Sequence, residues 1–187
     1  MTSGAPEGTG AGGGALAFKA AVDGLTAAVE RLATAPYGPP WPDGVDPGRS
    51  GAGADFAVVA LRVSQDFYAD GAGEEAGAGE GGRHAAVTDA YETELWGVVL
   101  ALDARWGTHR SVGTADRADR YLSGEPVEPF HATLFDLGYF GDLRTWRVGG
   151  RLVAVGVGQQ DAEEPVVLFG AVRDARPGRD GTGDTPG

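Results

Sequence analysis

Three histidines, His84, His109 and His131, are the side chains of this 187-residue sequence best suited to proton transfer or metal binding. Their spacing matches neither HExxH nor the i, i+4 pair that places two metal ligands on one face of a helix. Folding can still gather a histidine with carboxylates, so a cleft that uses His131, Asp136 or Asp161 is one interpretation. The spacing alone predicts no metal site.

Motifs for nucleophiles and phosphate binding are missing as well. Cysteine does not occur, which excludes disulfides, thiolate nucleophiles and zinc–thiolate sites. No serine lies in a G-x-S-x-G elbow. Two glycine patterns, residues 10–15 and 77–82, have the spacing of a dinucleotide fingerprint, but neither follows a predicted strand. The sequence therefore predicts no catalytic residue, no cofactor and no metal ion.

The most distinctive polar segment is residues 159–165, which separate two apolar segments. The candidate partner-binding residues in it are Gln159, Gln160, Asp161, Glu163 and Glu164. One interpretation is a solvated hairpin loop that ends at Pro165. The other is an acidic edge that a rigid hairpin presents to a basic protein partner.

The charge of the chain narrows the class of partner. A net charge of −12 and an isoelectric point near 4.5 argue against binding to nucleic acid or to an anionic membrane surface. Solubility is the simplest explanation of this charge, and a specific basic partner is the more specific one. We expect a cytoplasmic location, because neither a signal peptide nor an apolar stretch of ~20 residues is evident. Arginine in place of lysine and the absence of asparagine are typical of a GC-rich bacterial genome.

Three tryptophans, Trp96, Trp106 and Trp146, are candidates for the wall of a ligand pocket, since pockets are largely aromatic. Trp96 lies in the most apolar predicted helix and Trp146 in a predicted strand. Large rings in such positions normally fill the core. We therefore predict that Trp96 and Trp146 are buried.

The elements that position these residues follow from apolar spacing. An i, i+3/i+4 pattern predicts a helix over residues 16–34. A second helix is predicted to begin at Asp89, with Glu92 completing a capping box, and to end before Gly107. This second helix has one apolar face of Tyr91, Leu95, Val98 and Leu102 and a second of Trp96, Val99 and Leu100, so we expect it to be sandwiched between other elements. Residues 56–67 fit either a helix or a strand, and their valine content favours a strand.

The C-terminal part predicts a three-stranded antiparallel meander. Two strands, residues 143–148 and 151–157, are joined by Gly149 and Gly150, which supply the positive φ of a tight hairpin turn. A third strand is predicted over residues 166–172. Small residues at 154, 156 and 158 leave room on one face of the middle strand, so another element, most simply a helix, must approach closely.

Together these patterns predict an α+β fold, with a small antiparallel sheet that ends in the C-terminal meander and with helices packed on one face. We expect a single domain over residues 15–175, flexible inserts at 35–53 and 70–82, and disordered tails at 1–14 and 176–187. The leading functional hypothesis is a non-catalytic, acidic protein-interaction module of the accessory, inhibitor or immunity kind. The alternative is a small-molecule-binding domain or enzyme with a cleft between helices and sheet.

Overall fold

The computed structural model describes residues 11–43, 45–65, 80–161 and 164–175. In it, six antiparallel strands form one sheet in the order β1-β2-β6-β5-β4-β3. The elements in chain order are α1 (Ala11–Thr34), β1 (Asp46–Ala52), β2 (Phe56–Val63), α2 (Glu80–Trp106), β3 (Arg110–Val112), α3 (Ala115–Leu122), α4 (Pro129–Asp136), β4 (Leu143–Val148), β5 (Arg151–Gly158) and β6 (Val167–Asp174). The predicted α+β class is confirmed, as is the meander of β4, β5 and β6.

The helices lie on both faces of the sheet. The long helices α1 and α2 pack together on one face, as predicted. The short helices α3 and α4 cover the other face with a second apolar cluster, which the sequence did not predict. The apolar stripe of α4, with Phe130, Leu134 and Phe135 buried, packs against β2 and thereby closes this second layer.

Burial on both faces explains why the sequence of β2 was ambiguous. Ala57 and Val59 contribute to the α1–α2 core, whereas Phe56, Val58 and Ala60 contribute to the α3–α4 core. A strand covered on both faces has no alternation of polar and apolar residues to distinguish it from a helix. The strand that the valine content of this segment favours is confirmed.

The small residues of β5 are approached by aromatic rings and not by a helix. A Cβ atom on Gly156 would lie 2.7 Å from the Cζ of Phe169 in the neighbouring β6, and one on Gly158 would lie 2.8 Å from the Cα of Tyr139. The rings of Tyr139 and Phe169 stack with centroids 4.5 Å apart. The close approach was therefore predicted correctly, but its partner was not.

The boundaries of the ordered region differ from the prediction. The segment 35–53, expected to be a flexible insert, contains β1, an edge strand paired with β2. Helix α2 begins at Glu80, so Asp89 is an interior residue and does not cap it, and the last three residues of the predicted insert 70–82 are helical. Residues 11–14 of the predicted tail belong to α1. The rest of the insert and both outer tails lie outside the described residues.

Candidate functional site

Large apolar side chains are exposed on the outer side of the α1–α2 layer. Of the five large hydrophobic residues exposed in the described part of the chain, four belong to these two helices. Phe18 is 40% exposed, Trp96 46% and Leu100 68%, and Leu16 precedes Phe18 by two residues. The fifth is Leu122 on α3, which packs on the opposite face of the sheet. We refer to Trp96 and Leu100 as the Trp96 face.

The prediction that Trp96 is a core residue is wrong. On a helix with 3.6 residues per turn, Tyr91, Leu95, Val98 and Leu102 share one side and meet the sheet. Trp96 and Leu100, one turn apart, lie on another side that the described elements cover only in part. Only Val99 of the predicted second apolar face is buried. Trp146, by contrast, is 3% exposed, which confirms its predicted place in the core.

Gly97 lies at a close contact between α1 and α2. A Cβ on Gly97 would lie 2.7 Å from Val22 and 3.4 Å from the ring of Phe18, so α1 and α2 approach each other closely there. Further along, Arg105 of α2 donates to Glu30 of α1 at 2.9 Å. Residue numbers increase on both helices between the first contact, Val22 with Gly97, and the second, Glu30 with Arg105. The two helices therefore run parallel. The ring of Phe18 therefore lies beside the same stretch of α2 that carries Trp96 and Leu100.

The indole of Trp96 has fixed neighbours on its inner side. The guanidinium of Arg144, on β4, lies 5.3 Å from the centroid of the Trp96 ring. The His109 ring meets the same indole edge to face, with centroids 6.1 Å apart. Cation–π and aromatic contacts of this kind restrict the orientation of an exposed ring. The exposed part of Trp96 is therefore presented with little conformational freedom left to lose.

Behind Trp96, a hydrogen-bonded carboxylate connects α2 to the sheet. Asp103 accepts bonds from the backbone N–H of His109 at 2.9 Å and from Nε1 of Trp146 at 3.0 Å, and its second oxygen lies 3.0 Å from Nδ1 of His109. Partial burial opposes the charged form, but the bonds from His109 and Trp146 outweigh it and lower the pKa of Asp103. This arrangement resembles the orienting half of a catalytic dyad in its bonding only, since no nucleophile contacts His109 among the described residues. Its evident effect is to hold His109 in place, and the His109 ring contacts the indole of Trp96.

The predicted partner-binding loop follows β5 and is partly tied to the body. Gln159 accepts a bond at its Oε1 from Nε2 of His84 at 2.9 Å and donates from its Nε2 to the carbonyl of Glu164 at 2.7 Å. Glu164 pairs with Arg49 at 3.1 Å. Gln160 and Asp161 are exposed, and Glu163 lies outside the described residues. The loop therefore displays less negative charge than its sequence suggests, and its role as a binding site stays a prediction.

The cleft residues of the alternative hypothesis have separate neighbours. His131 is buried on α4, where its Nδ1 lies 3.6 Å from Glu128 and has no hydrogen-bond partner among the described residues. Burial first, and then the charges of Arg117 and Arg173, lower the pKa of His131 to about 4. Asp136 accepts a hydrogen bond from Tyr121, and Asp161 lies in the loop after β5. The contacts of these three side chains do not define a common cleft.

A groove does lie between a helix and the sheet, on the other side of α1. It has a volume of about 470 Å³ and is open to solvent. Its residues are Ala20, Ala21, Gly24, Leu25, Ala28 and Arg31 of α1, Asp43, and Leu61 and Arg62 of β2. Arg62 already pairs with the buried Glu94 and lies over the Tyr91 ring, so its charge is largely engaged.

Two features are absent from the described residues. No group of three or more histidine, aspartate or glutamate side chains there is arranged to hold a metal ion. No helix there is long and apolar enough to cross a membrane. Comparisons with protein-family models, with curated proteins and with solved structures found no match. A proposal for the function of this protein therefore rests on the geometry of the chain itself.

Proposed function

We propose that this protein is a non-catalytic interaction module that binds a basic protein partner through the Trp96 face. The observation that carries the proposal is the exposure of Trp96 and Leu100 one turn apart on α2. Soluble proteins seldom leave adjoining large apolar groups uncovered unless a partner covers them. Tryptophan is also among the residues that contribute most to binding at interfaces.

The charge of the chain supports a basic partner. At a net charge of −12, this protein attracts cationic surfaces and repels a second copy of itself or another acidic protein. Electrostatic attraction acts mainly on the association rate, whereas burial of an aromatic anchor acts mainly on dissociation. We therefore assign affinity to the Trp96 face and steering to the exposed acidic residues, among them Asp161 in the loop after β5.

The loop and the Trp96 face are close enough to serve one partner. Gln159 contacts His84 near the start of α2, and Trp96 follows His84 by twelve residues on the same helix. At ~1.5 Å per residue, about 18 Å of helix separates the two positions. A partner surface of ordinary size spans this distance, since such an interface buries ~800 Å² on each side.

Photo-crosslinking tests the proposed surface. A benzophenone amino acid replaces Leu100 in one variant of the full chain and Leu122 in a control variant; both positions are exposed, 68% and 71%, but on opposite layers. In lysate of the producing cells, we expect a crosslinked partner of high isoelectric point from position 100 only. The same crosslink should disappear when Trp96→Ala is added, because the anchor is lost.

Two outcomes contradict the proposal. Equal crosslinking from positions 100 and 122 would mean that the apolar face has no particular partner. A crosslink at position 100 that survives Trp96→Ala and high salt would mean that neither the anchor nor the charge determines binding. Thermal unfolding of each variant, followed by circular dichroism, confirms that the fold is intact.

A second candidate function, small-molecule binding, has one observation in its favour. The groove beside α1 lies between a helix and the sheet, where the alternative hypothesis places its cleft, and Arg31 and Asp43 line it. The Trp96 face is the better supported site because the groove is open and is lined mostly by small apolar groups. Specific ligand sites are usually concave, with polar groups that converge on the ligand.

A further inference from the structure

We infer that the partner segment bound at the Trp96 face is a basic amphipathic helix, which lies along α2 with its apolar side on Trp96 and Leu100 and its cationic side chains on Asp89 and Glu92. This inference rests on the proposed function and specifies the chemistry of the partner. It follows from the order of four exposed residues on α2.

These four residues form one stripe. Asp89, Glu92, Trp96 and Leu100 are spaced by three, four and four positions, so all project from the same side of a helix with 3.6 residues per turn. We call them the acidic–aromatic stripe. From Asp89 to Leu100 it covers three turns, about 17 Å of helix. An amphipathic partner helix presents its own apolar and charged residues at the same i, i+3, i+4 and i+7 intervals.

The charged end of the stripe is available to a partner. Among the side chains that the structure describes, no ion pair or hydrogen bond engages the carboxylate of Asp89 or that of Glu92, and both residues are exposed. Of the basic neighbours, Arg105 is paired with Glu30, and Arg144 lies over the Trp96 ring. Lysine or arginine one turn from the apolar residues of a docked helix would therefore meet uncompensated carboxylates.

The shape of the surface favours a helix over an extended strand. At Gly97, Val22 and the ring of Phe18 of α1 fill the space against α2, so α1 covers that side of the helix and not the stripe. The stripe residues, spaced by three and four positions, form a ridge of the kind that packs into the groove of another helix. An extended segment would need a free sheet edge for its backbone, and the stripe lies on a helix.

Titration of the full chain with model peptides tests the inference. The probe is an amphipathic peptide of about 18 residues, built from leucine, lysine and alanine and long enough for five helical turns. One control peptide carries glutamate at every lysine position, and a second carries two central prolines that prevent a helix. Binding is measured by calorimetry at ~50 mM and ~300 mM salt, which changes the screening length about twofold.

Two charge variants distinguish binding at the acidic–aromatic stripe from general attraction of a cationic peptide to an acidic protein. Asp89→Asn with Glu92→Gln removes two charges from the stripe, and Asp116→Asn with Asp119→Asn removes two exposed charges at the same spacing from α3 on the opposite layer. We expect the stripe variant to bind the lysine peptide at least about fivefold more weakly, and the α3 variant to lose less than about twofold. The glutamate and proline peptides should bind at least about tenfold more weakly than the lysine peptide.

Three results would overturn the inference. Equal losses in the stripe and α3 variants would show that only net charge matters, and equal binding of the proline peptide would show that no helix is required. If Trp96→Ala weakens binding but the stripe variant does not, the basic helix is wrong while the proposed function stands. If Trp96→Ala has no effect either, the proposed function fails as well. Sedimentation that shows a stable dimer would identify a second copy of the chain as the occupant.

Discussion

At the scale of single residues, the two tryptophans predicted to be core residues have different environments. Both rings contact His109, but Trp146 is buried between sheet and helix and bonds to Asp103, whereas half of Trp96 faces outward. The sequence placed each ring on the right kind of element. It could not show which side of α2 would be covered, because that depends on how α1 and β4 lie against it.

This contrast gives a stability prediction. Trp146→Ala should lower the free energy of unfolding by about 3–5 kcal/mol, the usual cost of a large cavity in a core. Trp96→Ala should cost about 1 kcal/mol or less, since about half of the side chain is already exposed to water. Urea unfolding followed by circular dichroism measures both values. A cost for Trp96→Ala as large as that for Trp146→Ala would place Trp96 in the core after all.

The buried histidine gives a prediction for pH. His131 takes up a proton only near pH 4 when folded, but near 6.5 when unfolded, so the unfolded state binds more protons between these values. Stability should therefore fall as the pH is lowered from 7 toward 4, by up to about 3 kcal/mol. The difference in unfolding free energy between wild type and His131→Phe, measured across this range, isolates the effect. A difference that does not change with pH would show that His131 titrates normally.

At the scale of elements, periodicity located most helices and strands, and the errors have physical causes. The start of α2 was misplaced because Asp89 and Glu92 resemble a capping box, although the preceding residues continue the helix. Strand β1 was missed because its sequence, DPGRSGA, has almost no apolar side chain and is held at the edge by pairing with β2. Local patterns cannot report interactions made by a distant partner strand.

Alanine substitutions at two glycines separate the effect of close packing on stability from the effect of helix propensity. Gly156→Ala should destabilise by about 1–3 kcal/mol, because its Cβ would press on the ring of Phe169 within the sheet. Gly24→Ala should stabilise by about 0.5–1 kcal/mol, because nothing lies within 4 Å of that site on α1 and alanine favours a helix. Thermal unfolding measures the change in stability of each variant. Adding Phe169→Leu should recover part of the loss in Gly156→Ala, and no recovery would assign the loss to another cause.

At the scale of the whole molecule, composition supports the proposed basic partner, and the structure supplied a candidate surface. The charge of −12 was readable from the sequence, and so was the acidic loop after β5. The Trp96 face was not predicted from the sequence, although Trp96 and Leu100 were assigned to a second apolar face of α2. The signal that could have found it was that excess of apolar residues, which α1 and the sheet together do not cover.

The acidic loop gives a kinetic prediction. Changing Asp161, Glu163 and Glu164 together to serine should alter stability little, since exposed charges contribute about 0.5 kcal/mol each and the ion pair of Glu164 with Arg49 is partly exposed. Association with the crosslinked partner should slow and depend less on salt, because steering acts on the association rate. Stopped-flow measurements at several salt concentrations test this. An unchanged rate with unchanged salt dependence would make the loop a plain connection.

The most direct test of the account is the affinity for that partner when the apolar anchor is removed. Trp96→Ala combined with Leu100→Ser should weaken binding by at least about thirtyfold, mainly through faster dissociation, because buried aromatic anchors contribute ~2 kcal/mol or more. Leu122→Ser, an equally exposed position on α3, should change it less than about twofold. Unchanged affinity in the folded Trp96 and Leu100 double variant would contradict the claim that this face binds the partner.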